Sequence, residues 1–450
     1  MATKTNSQFE FIDLFAGIGG FAAALSAFGG KPVYSVEIDE AAAKIYERNW
    51  GHSPLGDITE DANETTMNVP PHNILAAGFP CQPFSKSGAQ KGMDETRGTL
   101  FWNIMEIVKA HHPQIVLLEN VRNLAGPRHT HEWKVIIERL RGEGYVVSDH
   151  PAIFSPHLLP KALGGRPQIR ERVFITATYA PDIASSSVAV EPVVSIKDHF
   201  EGWNPQKWNL TKDLPLTKSS NVKGCELTAS EIRWIDAWDE WVQLYYKLSN
   251  GVQPPGFPIW VDEWVETSKL RITEDTPEWK ANFLRKNAAL YTSHKKEFDA
   301  WLRKHGVLTA DFPPSRRKFE WQAQDAKRLW DCVMHFRPSG IRAKKATYLP
   351  ALVAITQTSI IGPLRRRLST REAARLQGLP EWFSFGDQRD GATYKQLGNG
   401  VNIGVVWHVL KKHVERDEAI LKVTKEGRAI LKAIGGSPAS PDETLDSMGK

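Results

Sequence analysis

Along the first 180 residues, short apolar runs alternate with stretches whose apolar positions recur every three or four residues. The runs at 11–15, 33–38, 74–79, 115–119 and 173–178 are brief and rich in Val, Ile and Phe, which predicts buried strands. The stretches 20–28, 40–49, 99–110 and 132–141 carry helical periodicity. Strands alternating with helices predict an α/β fold built on a mostly parallel, doubly wound sheet. Beyond 180 the pattern breaks: Trp203, Trp208, Trp234, Trp238, Trp241, Trp260, Trp264, Trp279, Trp301, Trp321 and Trp330 fall within 180–345 among Pro-rich turns, marking a second domain. Helical patterns resume at 371–378, behind the cap residues Ser369 and Thr370, and at 401–413. Residues 434–450 are polar with Gly, Ser and Pro and read as a flexible tail.

Length and composition narrow the classes. A chain of 450 residues suits one to three domains, and 41% hydrophobic with 24% charged residues excludes disordered, collagen-like and coiled-coil chains. No apolar run approaches the roughly 18 residues of a membrane span, and residues 1–10 lack a secretory signal's apolar segment. Cys81, Cys225 and Cys332 are too few for a disulfide framework, so a reducing cytoplasm is expected. No Cys-x-x-Cys pair occurs and no thiol neighbours the His pairs, so no metal site is expected. The net charge of +5 is unevenly spread: residues 285–345 hold 15 Lys/Arg against 6 Asp/Glu, residues 201–284 hold 9 against 13. A concentrated basic stretch fits a phosphate-rich partner, and a solvated basic face accounts for it equally well.

The chemistry-bearing residues cluster at the ends of the predicted strands. The first strand runs into Asp13-Leu14-Phe15-Ala16-Gly17-Ile18-Gly19-Gly20 and then a helix; glycines there let a ligand approach backbone at a helix N-terminus. The second ends in Glu37-Ile38-Asp39, where a carboxylate can accept from ribose hydroxyls, so a nucleoside-type ligand is favoured over a merely structural turn. The third ends in Gly78-Phe79-Pro80-Cys81-Gln82-Pro83-Phe84-Ser85, where Cys81 is either a nucleophile facing the site or a buried structural thiol. The fourth ends in Glu119-Asn120-Val121; a buried carboxyl there, its pKa raised, could protonate a ring nitrogen. In Gln168-Ile169-Arg170-Glu171-Arg172 the two arginines are expected to share one face of a strand, as a ligand clamp or as solvated charges.

In this order, together with a late Gly398-Asn399-Gly400-Val401, these motifs resemble those of the DNA cytosine-5 methyltransferases over about 1–180 and 345–413. Gly56-Asp57-Ile58, Arg97-Gly98-Thr99-Leu100-Phe101 and the run from Arg366 to Arg375 agree as well. The resemblance implies a Rossmann-like methyltransferase domain with a separate inserted target-recognition domain. Its divisions would be 1–184 (catalytic and cofactor-binding), 185–345 (target recognition), 346–390 (hinge and return), 391–433 (catalytic, C-terminal part) and the tail 434–450. It implies that Cys81 adds to carbon 6 of a flipped-out cytosine, Glu119 contacts ring nitrogen 3 and the exocyclic amine, and Arg170 holds the carbonyl oxygen. Carbon 5 then takes the methyl of S-adenosylmethionine, leaving S-adenosylhomocysteine, beneath a lid formed by 84–97; a base removes the carbon 5 proton and Cys81 leaves. The cofactor residues implied are Phe15, Ala16, Gly17, Ile18, Gly19, Gly20, Glu37, Ile38, Asp57, Ile58, Gly78, Pro80, Leu100, Asn399 and Val401.

Three positions depart from the family pattern. Ile38 stands where a bulkier aromatic is common, Gly400 replaces the usual serine, and Gly164-Gly165-Arg166-Pro167 lacks the aromatic of Tyr-Gly-x-Pro. Contacts at those points are expected to differ.

Double-stranded DNA is the expected partner, with Ser85, Arg97 and Arg172 near it and Arg316, Arg317, Lys318, Arg337 and Arg342 of the basic stretch contacting phosphates or guanine. The tryptophans are expected in a core rather than stacked on bases. A monomer suffices, acting in the cytoplasm on the nucleoid as the modifying half of a restriction system with a cognate endonuclease. The rival readings are an RNA (tRNA) cytosine-5 methyltransferase and a DNA-binding regulator with an inactive methyltransferase domain.

Overall fold

The computed structural model describes residues 8–80, 99–184, 190–352 and 358–449. Cys81, Ser85 and Arg97 lie outside the described residues. The polypeptide divides into two compact units, one comprising 1–208, 350–355 and 373–450, the other 209–349 and 356–372. The first boundary thus differs from the expected 184/185. Residues up to Trp208 stay with the first unit because that indole is buried (2% exposed) and donates from Nε1 to the carbonyl of His157 at 2.8 Å.

In the first unit the strands are β1 (Phe9–Leu14), β2 (Gly30–Val36), β3 (Ile74–Ala77), β4 (Ile115–Val121), β5 (Tyr145–Val147), β6 (Ala152–Phe154), β7 (Gln168–Ile169) and β8 (Arg172–Tyr179). The main sheet runs β2-β1-β3-β4-β8-β5, with β6 also paired to β8. β1 to β4 are mutually parallel, whereas β8 is antiparallel to β4, β5 and β6. The sheet is therefore parallel in one half only. Between β6 and β8 the described chain has the short turns Pro156–Leu158 and Lys161–Leu163 and the two-residue β7, not the helical crossover a parallel neighbour needs.

The helices α1 (Gly20–Ala27), α2 (Glu40–Trp50), α3 (Ile58–Asp61), α4 (Leu100–His111) and α5 (Thr130–Gly142) alternate with the parallel strands. Ile74 to Ala77 and Ile115 to Leu118 are wholly buried, as expected of central strands covered on both faces. The chain order reverses between β1 and β3, and in such sheets ligands bind beyond the carboxyl ends of the strands at that point.

Residues 434–449 are not loose, contrary to the sequence-based expectation. They include a helix, Asp442–Met448, and Leu445 is buried at 1% exposure. Arg166 Nη2 bonds Asp442 Oδ1 at 2.7 Å, Trp407 Nε1 the carbonyl of Pro438 at 3.1 Å, and Trp382 Nε1 that of Leu445 at 2.8 Å. A few anchors in a polar segment dock it where average composition predicts none. Gly164, at φ +85°, lies beside this segment: a Cβ there would sit 3.0 Å from Pro441 Cδ. The aromatic missing from that motif thus leaves a place against which the C-terminal segment packs.

The second unit has a mixed sheet in the order Arg366–Arg367, Ile360–Ile361, Cys332–Arg337, Gly340–Lys345, Lys318–Gln322, Ile259–Trp260. Its apolar face packs on helices Ala229–Leu248 and Lys295–His305, where Trp238, Trp241 and Trp301 are at most 2% exposed. Most of its tryptophans belong to this core; Trp279, 62% exposed, does not. No helix among the described residues is long and apolar enough to cross a membrane.

Candidate active site

A cleft of about 460 Å³ opens beyond the carboxyl ends of β1 to β4, within the range of small-molecule sites. One wall is the β1–α1 turn. Phe15 and Gly17 take left-handed backbone there (φ +58° and +55°), so main chain faces the cleft. Gly19 is also left-handed (φ +91°), and a Cβ on it would strike the Trp50 ring at 2.0 Å. Gly20 admits Val401: a Cβ there would meet Val401 Cγ2 at 2.7 Å. Asp13, fully buried behind this turn, accepts from the amide of Ala22 at 3.1 Å and fixes the first turn of α1. Burial holds its carboxyl well above the ordinary carboxylate range.

Glu37, just past β2, accepts from the amides of Gly17 and Asp39, each at 2.8 Å, and so ties two loops together. Asp39 caps α2 through the amide of Ala42, which lowers its pKa, and meets Lys395 at 3.3 Å. Asp57 caps α3 through the amide of Thr59 at 2.9 Å. Ile38 is 72% exposed yet lines the cleft, offering an aliphatic surface at its rim.

The other end of the cleft is ionic. Glu119, at the end of β4, is 7% exposed, and its Oε1 lies 3.1 Å from Nε of Arg172 at the start of β8. Among the described residues that oxygen makes no well-aligned hydrogen bond. Burial raises the Glu119 pKa; Arg172 and Arg170 pull the other way without cancelling it. Asn120 donates to the carbonyl of Phe79 at 2.8 Å and holds the chain that leads through Pro80 towards Cys81.

Of the expected cofactor residues, Phe15, Ala16, Gly17, Gly20, Glu37, Ile38, Asp57, Ile58, Gly78, Pro80, Leu100, Asn399 and Val401 line this one cleft. Ile18 and Gly19 lie behind it: Ile18 is 3% exposed and its carbonyl accepts from Trp50 Nε1 at 3.1 Å. Glu119 lines the cleft and Arg170 does not. The expectation that Arg170 and Arg172 share a strand face fails because positions 170 and 171 are not in strand conformation, which breaks the alternation. Arg172, expected near DNA, is the arginine beside Glu119. Sequence reasoning missed Phe21, Asn120, Lys395, Gln396 and Gly398. Asn120 adjoins a chosen residue, whereas Lys395, Gln396 and Gly398 sit on a helix, Asp390–Asn399, whose sequence carries little apolar period.

In the second unit, Arg317 bonds the carbonyls of Phe312 and Thr309 and pairs with Asp262, at 2.7 to 2.9 Å, so each of its three nitrogens already donates once. Arg316 stacks on Phe336, 4.5 Å from the ring centre, and bonds the carbonyl of Arg337. Arg337 and Arg342 both pair with Glu320 on the polar face of the sheet, where Lys318 also lies. Among the described residues no group of three His, Cys, Asp or Glu could hold a metal.

Comparison with known proteins shows the family. A family model described as C-5 cytosine-specific DNA methylase matches residues 9–415. Type II methyltransferase M.AluI of Cellulosimicrobium cellulans is 49% identical, covering 99% of each chain. M.HpaII of Haemophilus parainfluenzae is 43% identical over 42% of this chain and 51% of its own, and M.HhaI of Haemophilus parahaemolyticus 44% over 38% and 50%.

Proposed function

The chain belongs to the C-5 cytosine-specific DNA methylases, and from that membership we propose how its own residues carry the reaction. It is a DNA cytosine-5 methyltransferase of the Type II, restriction-modification kind, and enzymes of this family use S-adenosylmethionine. The cleft residues suit that molecule. Phe15, Ile38 and Ile58 offer apolar surface to a purine, Glu37 offers a carboxylate to ribose hydroxyls, and the main chain at Ala16 and Gly17 faces the amino-acid end. Bound there, the cofactor supplies an electrophilic methyl group.

The residues at the opposite end handle the base. Cys81, the residue after Pro80, adds as thiolate to carbon 6 of a cytosine swung out of the duplex, which makes carbon 5 nucleophilic. Glu119, whose pKa burial raises, donates in its protonated form to ring nitrogen 3 as charge builds there and accepts from the exocyclic amine. Arg172, not Arg170, is the cation for the carbonyl oxygen at position 2, because it pairs with Glu119 inside the cleft. The observation carrying this reading is a buried carboxyl, paired with an arginine at 3.1 Å, sharing one cleft with a ribose-type carboxylate.

A duplex containing 5-fluorocytosine tests it. Wild type should form a covalent adduct in the presence of cofactor, whereas Cys81→Ser should bind the duplex without one. A wild type that binds but yields neither adduct nor product refutes the proposal.

The match to M.AluI runs through the whole chain, recognition unit included, whereas those to M.HpaII and M.HhaI cover less than half. We extend the proposal accordingly: the chain methylates the same sequence as M.AluI, as a monomer on cytoplasmic DNA beside an endonuclease of that specificity. DNA fully methylated by M.AluI should then accept no further methyl groups from this enzyme; continued incorporation would disprove a shared target.

A further inference from the structure

We propose that Arg170 is a positioning residue whose guanidinium clamps residues 398–400 into the wall of the cofactor cleft, a role that rests on reading that cleft as the methyl-donor site. Arg170 is 2% exposed and leaves the chain between β7 and β8. Its Nη2 donates to the carbonyls of Gly398 at 2.9 Å and Gly400 at 2.6 Å, and its Nη1 to that of Leu352 at 3.2 Å. Its own amide is held by Ser155 Oγ at 2.9 Å, which anchors the clamp to β6's end of the sheet.

The chemistry of these acceptors explains why a cation is buried here. Helix Asp390–Asn399 ends at this point, and the last carbonyls of a helix have no partners within it. Those carbonyls also carry the negative end of the helix dipole, which a guanidinium neutralises. One planar fork reaches carbonyls from two separate chain segments at once, a task that suits Arg better than Lys. Gly398, Asn399, Gly400 and Val401 all line the cleft, so the fork on one side of this backbone sets the surface on the other. A wall held this way shapes the cofactor's seat without touching the reacting base.

Full-length Arg170→Ala, Arg170→Lys and, for contrast, Arg172→Lys test the assignment. The readouts are S-adenosylhomocysteine affinity by calorimetry, the KM for S-adenosylmethionine, and kcat at saturating cofactor on duplex DNA. In Arg170→Ala, cofactor affinity should fall by about tenfold or more, as for several lost charge-assisted bonds, with kcat down by less than about fivefold. Arg170→Lys should recover part of the affinity, and millimolar methylguanidinium should restore Arg170→Ala. Arg172→Lys should show the opposite split, with kcat lost and affinity kept.

Unchanged cofactor affinity in whichever Arg170 variant folds overturns the clamp. So does a kcat loss of about a hundredfold with affinity intact, which would put Arg170 at the base. Covalent trapping of wild type on 5-fluorocytosine DNA separates the two levels: if wild type forms no adduct, the reading of the site fails; if it does and the affinities do not move, only the clamp fails.

Discussion

Replacing Glu119 by Gln changes one oxygen for an NH₂ and leaves the shape of the buried end of the cleft intact. The amide can still accept from the exocyclic amine of cytosine and donate to ring nitrogen 3, so binding of the extruded base should survive. It cannot deliver a proton. A positioned acid contributes typically 10² to 10⁴ in rate, and Glu119 is buried, so the variant's kcat should fall by about 10² to 10³, or roughly 3–4 kcal/mol of barrier. DNA affinity should stay within about threefold, since direct hydrogen-bonding capacity is kept.

The pH profile carries the sign. A carboxyl whose pKa is raised keeps its proton further into the neutral range. Wild-type activity should therefore decline on the alkaline side as Glu119 deprotonates, and the variant should lack that limb. Stability follows the same linkage. The unfolded chain gives up the proton near the ordinary 4.5 while the folded protein retains it, so wild type loses stability as pH rises from there to the raised value. Gln does not titrate, so the melting-temperature difference should move in the variant's favour across that interval. Single-turnover methyl transfer and thermal melts from about pH 4.5 to 9 measure both. A variant rate within about threefold of wild type, or a melting difference constant over the range, refutes the role given to Glu119.

Three further outcomes are expected. Glu37→Ala removes the acceptor of two loop amides as well as the proposed ribose ligand, and S-adenosylhomocysteine affinity by calorimetry should drop about ten- to a hundredfold. Gly400→Ser should be nearly silent in steady-state activity, because a Cβ there meets nothing closer than the carbonyl of Gln396 at 3.5 Å and the backbone is at an ordinary φ of −65°. Truncation after residue 433 removes buried Leu445 and the bonds to Arg166, Trp382 and Trp407. Scanning calorimetry should show a fall in melting temperature of about 5–10 °C, from roughly 3 kcal/mol of lost burial and hydrogen bonding.

Much of the active site was legible because strand tips announce themselves locally. Apolar runs ending in Gly17, Glu37, Gly78 and Glu119 each marked where a buried strand meets the cleft, and all four residues line it. What was not legible depended on backbone irregularity or on distant packing. The spacing of Arg170 and Arg172 implies a common face only if the strand is continuous, and it is interrupted at 170 and 171. Lys395 and Gln396 lie on a helix with Gly391, Thr393 and Gly398, whose pattern gives little periodic signal. Local charge points to the arginines of the basic stretch but does not reveal that Arg317 also bonds Asp262 and two carbonyls or that Glu320 pairs with Arg337 and Arg342. The docked C-terminal segment was hidden by composition, which averages over the few residues, buried Ile434 and Leu445 among them, that anchor it.

The two arginines of one motif also show why the cleft needs chain from both ends of the sequence. Arg172 keeps its charge inside, paired with Glu119, whereas Arg170 turns behind the wall and holds the carbonyls of Gly398 and Gly400. On the near side the same segment presses Val401 onto Gly20, so close that a Cβ at position 20 would meet Val401 Cγ2 at 2.7 Å and force it to shift. The segment is thus gripped from behind by a guanidinium and stopped in front by a bare α-carbon. Enlarging Gly20 and removing Arg170 should loosen the cofactor seat by different routes, one pushing the wall outward and the other releasing it. Because both act on residues 398–401, their effects on cofactor affinity should be less than additive, as expected for two changes that share one structural element.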